Sequence, residues 1–398
     1  MNSNSYTNSY KEKEVKQKFA LVLIACALLS FTKFNHCRTN DFQAPDNYVH
    51  ACYTDIPALF GERDLINNTW PYLSATNAME YPPVIGLGNW LISFVVPNEN
   101  SYRWFFDLNL LLITLCFIAT AFLLRKMRPD YSYLFPLAPA VLASLFINWD
   151  MWAVISTLLA IYYFDNKKYE ESAIALAVSI STKFFPIVLL LPIIIILWRK
   201  KEINQLRRYL FISGIFWSAI NLPIMATSFG GWWRFFKLNL ERTSDFGSIY
   251  FALNIFGLNT PALNNLYSLF SIAAFIGFAI WLMKLNKTPA LSEVAIFVVI
   301  IFTTLSKVYS PQYVLWLTPL AIIAIKNKKD LSAFWIWQGT EMIYHLAIWQ
   351  YLALNQGAEY GLPAGGYALS ILLRIAGISW FTYKLSVDFH RSSAPISR

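Results

Sequence analysis

The chain has 398 residues, of which 57% are apolar, 17% aromatic and only 14% charged, with a mean hydropathy of +0.44. Soluble domains carry roughly 25% charged residues, so a water-soluble multidomain enzyme is excluded and the solvent for most of the chain is lipid. The formal charge of +9 does not indicate a nucleic-acid binder, because the 32 Lys and Arg fall in short clusters between apolar runs and form no basic stripe.

The first apolar run, residues 19–31, follows a tail carrying Lys11, Lys13, Lys16 and Lys18. No small-x-small cleavage site follows it, and the apolar stretch before Cys26 is too short for a lipoprotein signal, so an uncleaved first helix is expected. Further spans are expected at 104–124, 133–147, 151–164, 172–180, 184–198, 209–226, 263–285, 290–306, 312–325, 332–353 and 366–385, which makes about twelve transmembrane helices. The run 82–96 is too short to be counted safely by length alone. Treating it as an interfacial helix puts the basic clusters at 125–128, 167–168, 199–208, 284–287 and 326–329 on the same side as the N-terminal lysines, as the positive-inside rule requires.

The expected architecture is therefore an all-α polytopic membrane protein. It has cytoplasmic tails at 1–18 and 386–398 and one integral membrane domain over 19–385, with extracytoplasmic segments at 35–103 and 227–262 and a shorter one around 354–365. The runs 133–147 with 151–164, and 172–180 with 184–198, are shorter than the roughly 20 residues a crossing needs. Read as hairpins, they carry Asn148-Trp149-Asp150 and Ser181-Thr182-Lys183 at their tips, polar groups that at membrane depth must face protein or a wet cavity. The alternative for 172–198 is one long tilted helix.

Cys26 and Cys116 lie in apolar runs and read as small buried hydrophobes. Cys37 and Cys52 fall in the first extracytoplasmic segment, on the oxidising side, where a disulfide is expected to tie the start of the segment to its middle. With His36 and His50 they do not match a zinc-finger spacing, so no metal site is expected there. The same segment holds Asp41, Asp46, Asp55, Glu62, Asp64 and Glu80 among aromatic residues and prolines. Most of these carboxylates read as solvated; Asp55 stands in an apolar and aromatic context that suits a tuned general base.

Cys52-Tyr53-Thr54-Asp55-Ile56-Pro57, Glu80-Tyr81-Pro82, Asn148-Trp149-Asp150, Lys183-Phe184-Phe185-Pro186 and Lys307-Val308-Tyr309-Ser310-Pro311-Gln312-Tyr313, followed by Leu315-Trp316-Leu317-Thr318-Pro319, occur in that order along the chain. Together they resemble the polyprenyl-phosphate-sugar-dependent glycosyltransferases of the GT-C superfamily, most closely glycosyltransferase family 87 (the DUF2029 group), over most of the chain. The resemblance implies a GT-C-like bundle with an acidic base in its large first extracytoplasmic loop. Asp55 is the matching position and Asp41, in Asn40-Asp41-Phe42, its rival. Thr54 departs from the pattern, where Ser is expected.

The resemblance further implies transfer of a hexose, with mannose favoured, from a polyprenyl-phosphate sugar to an extracytoplasmic glycan or glycolipid. A base takes the proton of the acceptor hydroxyl as that oxygen attacks the anomeric carbon, and cationic groups stabilise the departing lipid phosphate. Lys183 and Lys307 are the expected phosphate partners, with Tyr309, Gln312, Asp150, Glu80 and Tyr81 as further donor-binding candidates. No cofactor is expected apart from that donor, a divalent metal is left open, and the partners are the bilayer, the donor lipid and the acceptor.

Arg234, Lys237 and Arg242 form a basic aromatic stretch suited to lipid phosphate or to an interfacial helix. Glu341 and His345, one helical turn apart in the run 332–353, read as a mutually satisfied pair. A transporter or flippase of lipid-linked sugars would also show many spans and basic inner loops, but no related halves are evident. A noncatalytic assembly protein would tolerate loss of Asp55.

Overall fold

The structure, a computed structural model describing residues 3–258 and 263–393, is all helical: 76% of it is helix, and there is no strand among the described residues. Residues 1–2 of the expected N-terminal tail, 259–262 at the end of the expected second extracytoplasmic segment, and 394–398 of the expected C-terminal tail lie outside the described residues. The helices in chain order are α1 (Ser3–Thr39), α2 (Asp46–Val49), α3 (Asp55–Glu62), α4 (Pro83–Ser93), α5 (Ser101–Met127), α6 (Leu134–Leu137), α7 (Pro139–Ser144), α8 (Asp150–Asp165) and α9 (Tyr169–Thr182). They continue with α10 (Leu190–Arg199), α11 (Ile203–Glu241), α12 (Ile249–Ile255), α13 (Leu263–Lys284), α14 (Leu291–Leu305), α15 (Val314–Ala324), α16 (Asp330–Asn355) and α17 (Ala364–Ser393).

Among the described residues, five helices are long and apolar enough to cross a membrane: Gln17–Thr39 of α1, α5, α11, Asn265–Lys284 of α13 and Ala364–Phe389 of α17. On α13 the side chains of Leu269, Phe270, Ile272, Ile276 and Ile280 are half exposed or more. On α11, Phe211, Ile215 and Leu222 are likewise turned outward. Such contiguous apolar faces are unstable against water and stable against lipid. The chain is an all-α membrane protein.

The other runs expected to span are helices that fall short by length or composition. α8 has 16 residues, about 24 Å at 1.5 Å per residue, against a hydrocarbon core of about 30 Å. α9 has 14 residues, α14 has 15 and α15 has 11. The run 133–147 is split into α6 and α7 because Pro139 starts a new helix and leaves Ala138 extended. α16 is long, at 26 residues, but Asp330, Gln338, Glu341, His345 and Gln350 dilute its apolar character. The run 82–96 becomes α4, whose 11 residues reach about 16 Å.

The segment 172–198 is not one helix. α9 stops at Thr182, Lys183 is extended, and a 3-10 turn over Phe185–Leu189 leads into α10. Pro186 accounts for the stop: a continued helix would require its missing N–H to reach the Thr182 carbonyl, against which its ring would clash.

α11 bends at Ser228, whose backbone leaves the helical region. Its second half then lies on the connection between α1 and α5. Gly231 permits this, since a Cβ there would stand 1.9 Å from the Tyr72 carbonyl oxygen. The Trp70 indole donates to Ser228 Oγ at 3.2 Å, and Arg234 donates to the Ala78 carbonyl. Arg234 therefore fastens two chain segments together. Cys37, in the last turns of α1, and Cys52, in that same connection, form a disulfide, while Cys26 and Cys116 are free thiols.

Glu341 and His345 do not pair with each other. Both Glu341 oxygens are taken: Oε2 accepts from Arg374 Nε at 2.7 Å, and Oε1 accepts from Tyr309 Oη at 3.1 Å and from Trp337 Nε1 at 3.0 Å. Arg374 also donates to the backbone carbonyls of Tyr309 and Ser310, and its guanidinium lies 3.4 Å from the Tyr309 ring centroid. His345 Nε2 accepts from Lys33 Nζ at 2.8 Å and from Trp349 Nε1 at 3.1 Å, an arrangement that needs the neutral ring protonated on the Nδ1 facing Ser144. Helical i,i+4 spacing brings the two residues to one face, but partners on α17 and α1 lie closer to their polar atoms.

Arg374 and Glu341 are 0% and 1% exposed, and cutting one member from a buried pair typically costs about 3–5 kcal/mol. Arg374→Met is therefore expected to lower the melting temperature of the detergent-purified protein steeply, as followed by tryptophan fluorescence. Glu341→Gln combined with Arg374→Met should recover part of the loss, and equal melting temperatures for all three proteins would contradict the pairing.

Candidate functional site

α3 begins where Thr54 caps it. The Thr54 hydroxyl accepts from the Ile56 N–H at 3.3 Å and donates to the Ile147 carbonyl at 3.1 Å, while the Asp55 N–H donates to the same carbonyl at 2.8 Å. These bonds pin the start of α3 onto the turn between α7 and α8, the turn that carries Asn148, Trp149 and Asp150. Thr at position 54 keeps the hydroxyl that a Ser would supply.

The Asp55 carboxylate accepts from Tyr81 Oη at 3.0 Å and from Asn148 Nδ2 at 3.4 Å, both through Oδ2. Desolvation is the main cause that raises its pKa to about 6, and the Glu80 charge adds to it; Lys183 and the two hydrogen bonds pull the other way without prevailing. Asp55 is half-buried and so still reaches the surface.

Behind this carboxylate stands an ion pair. Lys183 Nζ lies 2.7 Å from Asp150 Oδ1, and the two side chains are 9% and 0% exposed. Trp316 Nε1 donates to the same oxygen at 2.8 Å, and the Asp150 N–H donates to Asn148 Oδ1 at 3.1 Å. The Asp150 Oδ2 is buried with no hydrogen-bond partner among the described residues. The Lys183 ammonium also sits 4.6 Å from the Tyr81 ring centroid and 5.7 Å from that of Trp316, a cation-π arrangement. Trp316 is stacked between Phe185 at 4.0 Å and Tyr313 at 3.8 Å.

The structure thus brings together Asp55, Tyr81, Asp150 and Lys183 from four separate stretches of chain. Glu80 is near enough to raise Asp55, but its own bond goes to Arg63 at 2.9 Å. Lys307 belongs to a separate group: its Nζ donates to the Leu240 carbonyl at 3.0 Å, and burial and the Arg242 charge both lower its pKa. Arg242 is paired with Asp245 at 3.0 Å, and Asp245 donates its N–H to the Lys307 carbonyl.

Tyr309 belongs elsewhere. Its phenol is fully buried and committed to Glu341, so it is not placed to meet a donor sugar or phosphate. Gln312 is 7% exposed in the 3-10 turn before α15. Asp41 is out at the surface, paired with Arg103 at 3.0 Å. Asn148, Trp316 and Tyr313 carry much of the geometry without having been singled out for it. Asn148 and Trp316 sit within short motifs whose polar atoms can be recognised, but the stacking of Tyr313 on Trp316 has no sequence signal beyond three-residue spacing.

Tyr81 also borders a shallow apolar depression enclosing about 260 Å³ including space open to solvent, walled by Pro82, Ile180, Phe184, Trp232 and Phe236. One aromatic residue therefore touches the carboxylate, the ammonium and the apolar wall. In comparisons with known proteins, no family model and no curated sequence matches the chain.

Asp55 is held protonated to a higher pH when folded than in the open chain, so its ionisation costs stability as pH rises from about 4 through about 6. Asp55→Asn keeps an acceptor for Tyr81 and removes that charge. The variant is expected to melt at a higher temperature than the wild type at pH 8 and at a similar temperature at pH 4; the reverse order would mean that the site does not strain the charged form.

Proposed function

We propose that the protein is an integral membrane hexosyltransferase that uses a polyprenyl-phosphate sugar, mannose being the sugar that its motifs resemble most, and transfers it to an extracytoplasmic glycan or glycolipid. In this reading α4 lies along the outer membrane surface, the termini are cytoplasmic, and the site opens away from the cytoplasm. The observation that carries the proposal is Asp55: a carboxylate raised to about 6, half-buried, oriented by Tyr81 and Asn148, and beside both a buried cation and an apolar depression.

The chemistry follows from those groups. A carboxylate of raised pKa is a stronger base than an ordinary one and is still ionised above pH 6, which suits removal of a proton from an acceptor hydroxyl. The apolar depression bordered by Tyr81 offers a surface against which the isoprenoid end of the donor rests. Lys307 supplies positive potential for the lipid phosphate, since burial and the nearby Arg242 charge make its own charge harder to hold and an anion relieves that cost. Lys183, already neutralised by Asp150, positions Tyr81 and lowers the Asp55 pKa toward the useful range.

A carrier of lipid-linked sugars is the second reading. It is favoured by an ionisable pair held inside the helix bundle, Lys33 with His345. Transfer assays separate the two, because a carrier moves the lipid without breaking its glycosidic bond.

Purified protein given polyprenyl-phosphate-mannose and a mannoside acceptor is expected to form product. Its rate should fall as pH drops through about 6, and Asp55→Asn should lose about 10²- to 10⁴-fold. A folded Asp55→Asn protein with the wild-type rate would remove Asp55 from the base role. Lys307→Ala should raise the KM for the donor while leaving that for the acceptor nearly unchanged; parallel changes in both would speak against a phosphate role.

A further inference from the structure

His36 stands in the last turn of α1, while Asp46 and His50 lie one turn apart on and just after α2, which folds back against it. Their polar atoms converge. His36 Nε2 is 2.8 Å from Asp46 Oδ2, His50 Nδ1 is 2.9 Å from Asp46 Oδ1, and the two imidazole rings are 3.9 Å apart between centroids, tilted by 35°. All three candidate ligand atoms fall within 4.8 Å of one another. We propose that His36, Asp46 and His50 form a binding site for one divalent transition-metal ion of the zinc class in the connection between α1 and α5.

Two imidazole nitrogens and one carboxylate oxygen are a ligand set that zinc takes readily, and three protein ligands leave a fourth position for water or another oxygen. A tetrahedral ion with bonds of about 2.0–2.1 Å spaces its ligand atoms about 3.3 Å apart, so the two histidine–carboxylate contacts, at 2.8 and 2.9 Å, lengthen by a few tenths of an ångström while the widest separation, within 4.8 Å, draws in toward that value. The chain is built to hold it there. The Cys37–Cys52 disulfide begins one residue after His36 and ends two residues after His50, so it ties the turn that carries His36 to the segment that carries Asp46 and His50. Asn40 donates its side-chain amide to Asp46 Oδ2, which orients the carboxylate from outside the cluster.

The side chains are reachable, at 50% exposure for His36, 36% for Asp46 and 46% for His50, so an ion can enter from solvent without unfolding the segment. Metal entry requires a free lone pair on each of the two ring nitrogens that now face the carboxylate, which a neutral imidazole provides by carrying its proton on the other nitrogen. The site is separate from the Asp55 carboxylate, and its existence does not depend on the transferase reading. Its consequence is local: it fixes the end of α1 to α2 by a second clamp beside the disulfide.

The test uses the full-length protein in detergent with any polyhistidine tag removed, stripped with chelator, then exposed to Zn²⁺ and desalted, with metal content read by mass spectrometry. Wild type should retain about one Zn²⁺ per chain, give visible d–d absorption on substitution with Co²⁺, and melt at a higher temperature with the ion than without. His36→Ala, His50→Ala and Asp46→Asn should each lose the ion, whereas Asp64→Asn, an acidic residue elsewhere in the same connection, should keep it. A wild type that retains no ion overturns the proposal, as does retention by well-folded His36→Ala or His50→Ala protein at the wild-type level. If one histidine variant does not yield folded protein, the other carries the comparison, and the wild-type measurement stands regardless.

Discussion

The contact between Lys183 and Asp150 is the one on which the geometry around Asp55 rests. Two charges have been taken out of water at the ends of two helices, and neither is stable there without the other. Because the pair must form, the break after α9 and the turn before α8 are held at one distance. Tyr81 then finds a cation against its ring and a carboxylate at its hydroxyl. Trp316, stacked between two aromatic rings, closes the pair from the third side. Without the ion pair Asp55 would remain on its helix cap, but the groups that tune it would have no fixed place.

A second anchored region, around Arg374, works differently. There the charges are fully satisfied: Glu341 receives three donors and Arg374 reaches two backbone carbonyls as well as the carboxylate. Satisfaction of this kind joins α16, α17 and the turn before α15 into one unit and leaves nothing over for a ligand. Gly247 belongs to the same unit, with a positive φ and no room for a side chain between the Tyr309 carbonyl and the Tyr344 hydroxyl. By contrast, the Asp150–Lys183 region keeps an unpartnered carboxylate oxygen and an exposed edge at Asp55, and this difference separates a structural polar network from a candidate reactive one.

Much of this was legible in the sequence, and the parts that were not share a cause. The membrane class followed from composition, and Asp55, Tyr81, Asp150 and Lys183 were marked by polar residues embedded in aromatic and apolar runs. The disulfide followed from the position of two cysteines in one connection. The span count did not transfer to helices of spanning length, because hydropathy counts apolar residues, whereas proline at 139 and 186 decides where helices stop. The pairing of Glu341 with His345 was misjudged for a related reason: periodicity describes one helix at a time, and the partners that won came from α1 and α17. The His36, Asp46 and His50 cluster was hidden because its spacing matches no linear motif and closes only when the chain reverses after α1.

Gly231 has a consequence for the width of the apolar depression beside Tyr81. Its backbone touches the Tyr72 carbonyl so closely that no other residue fits, and Tyr72 in turn donates its hydroxyl to the Tyr81 carbonyl at 3.0 Å. Trp232 and Phe236 on one wall of the apolar depression, and Tyr81 and Pro82 on the other, are thus spaced by main-chain contact and a hydrogen bond instead of by compressible side chains. The width of that depression is therefore set by the backbone, and changing a side chain in either wall alters its lining and not its gauge.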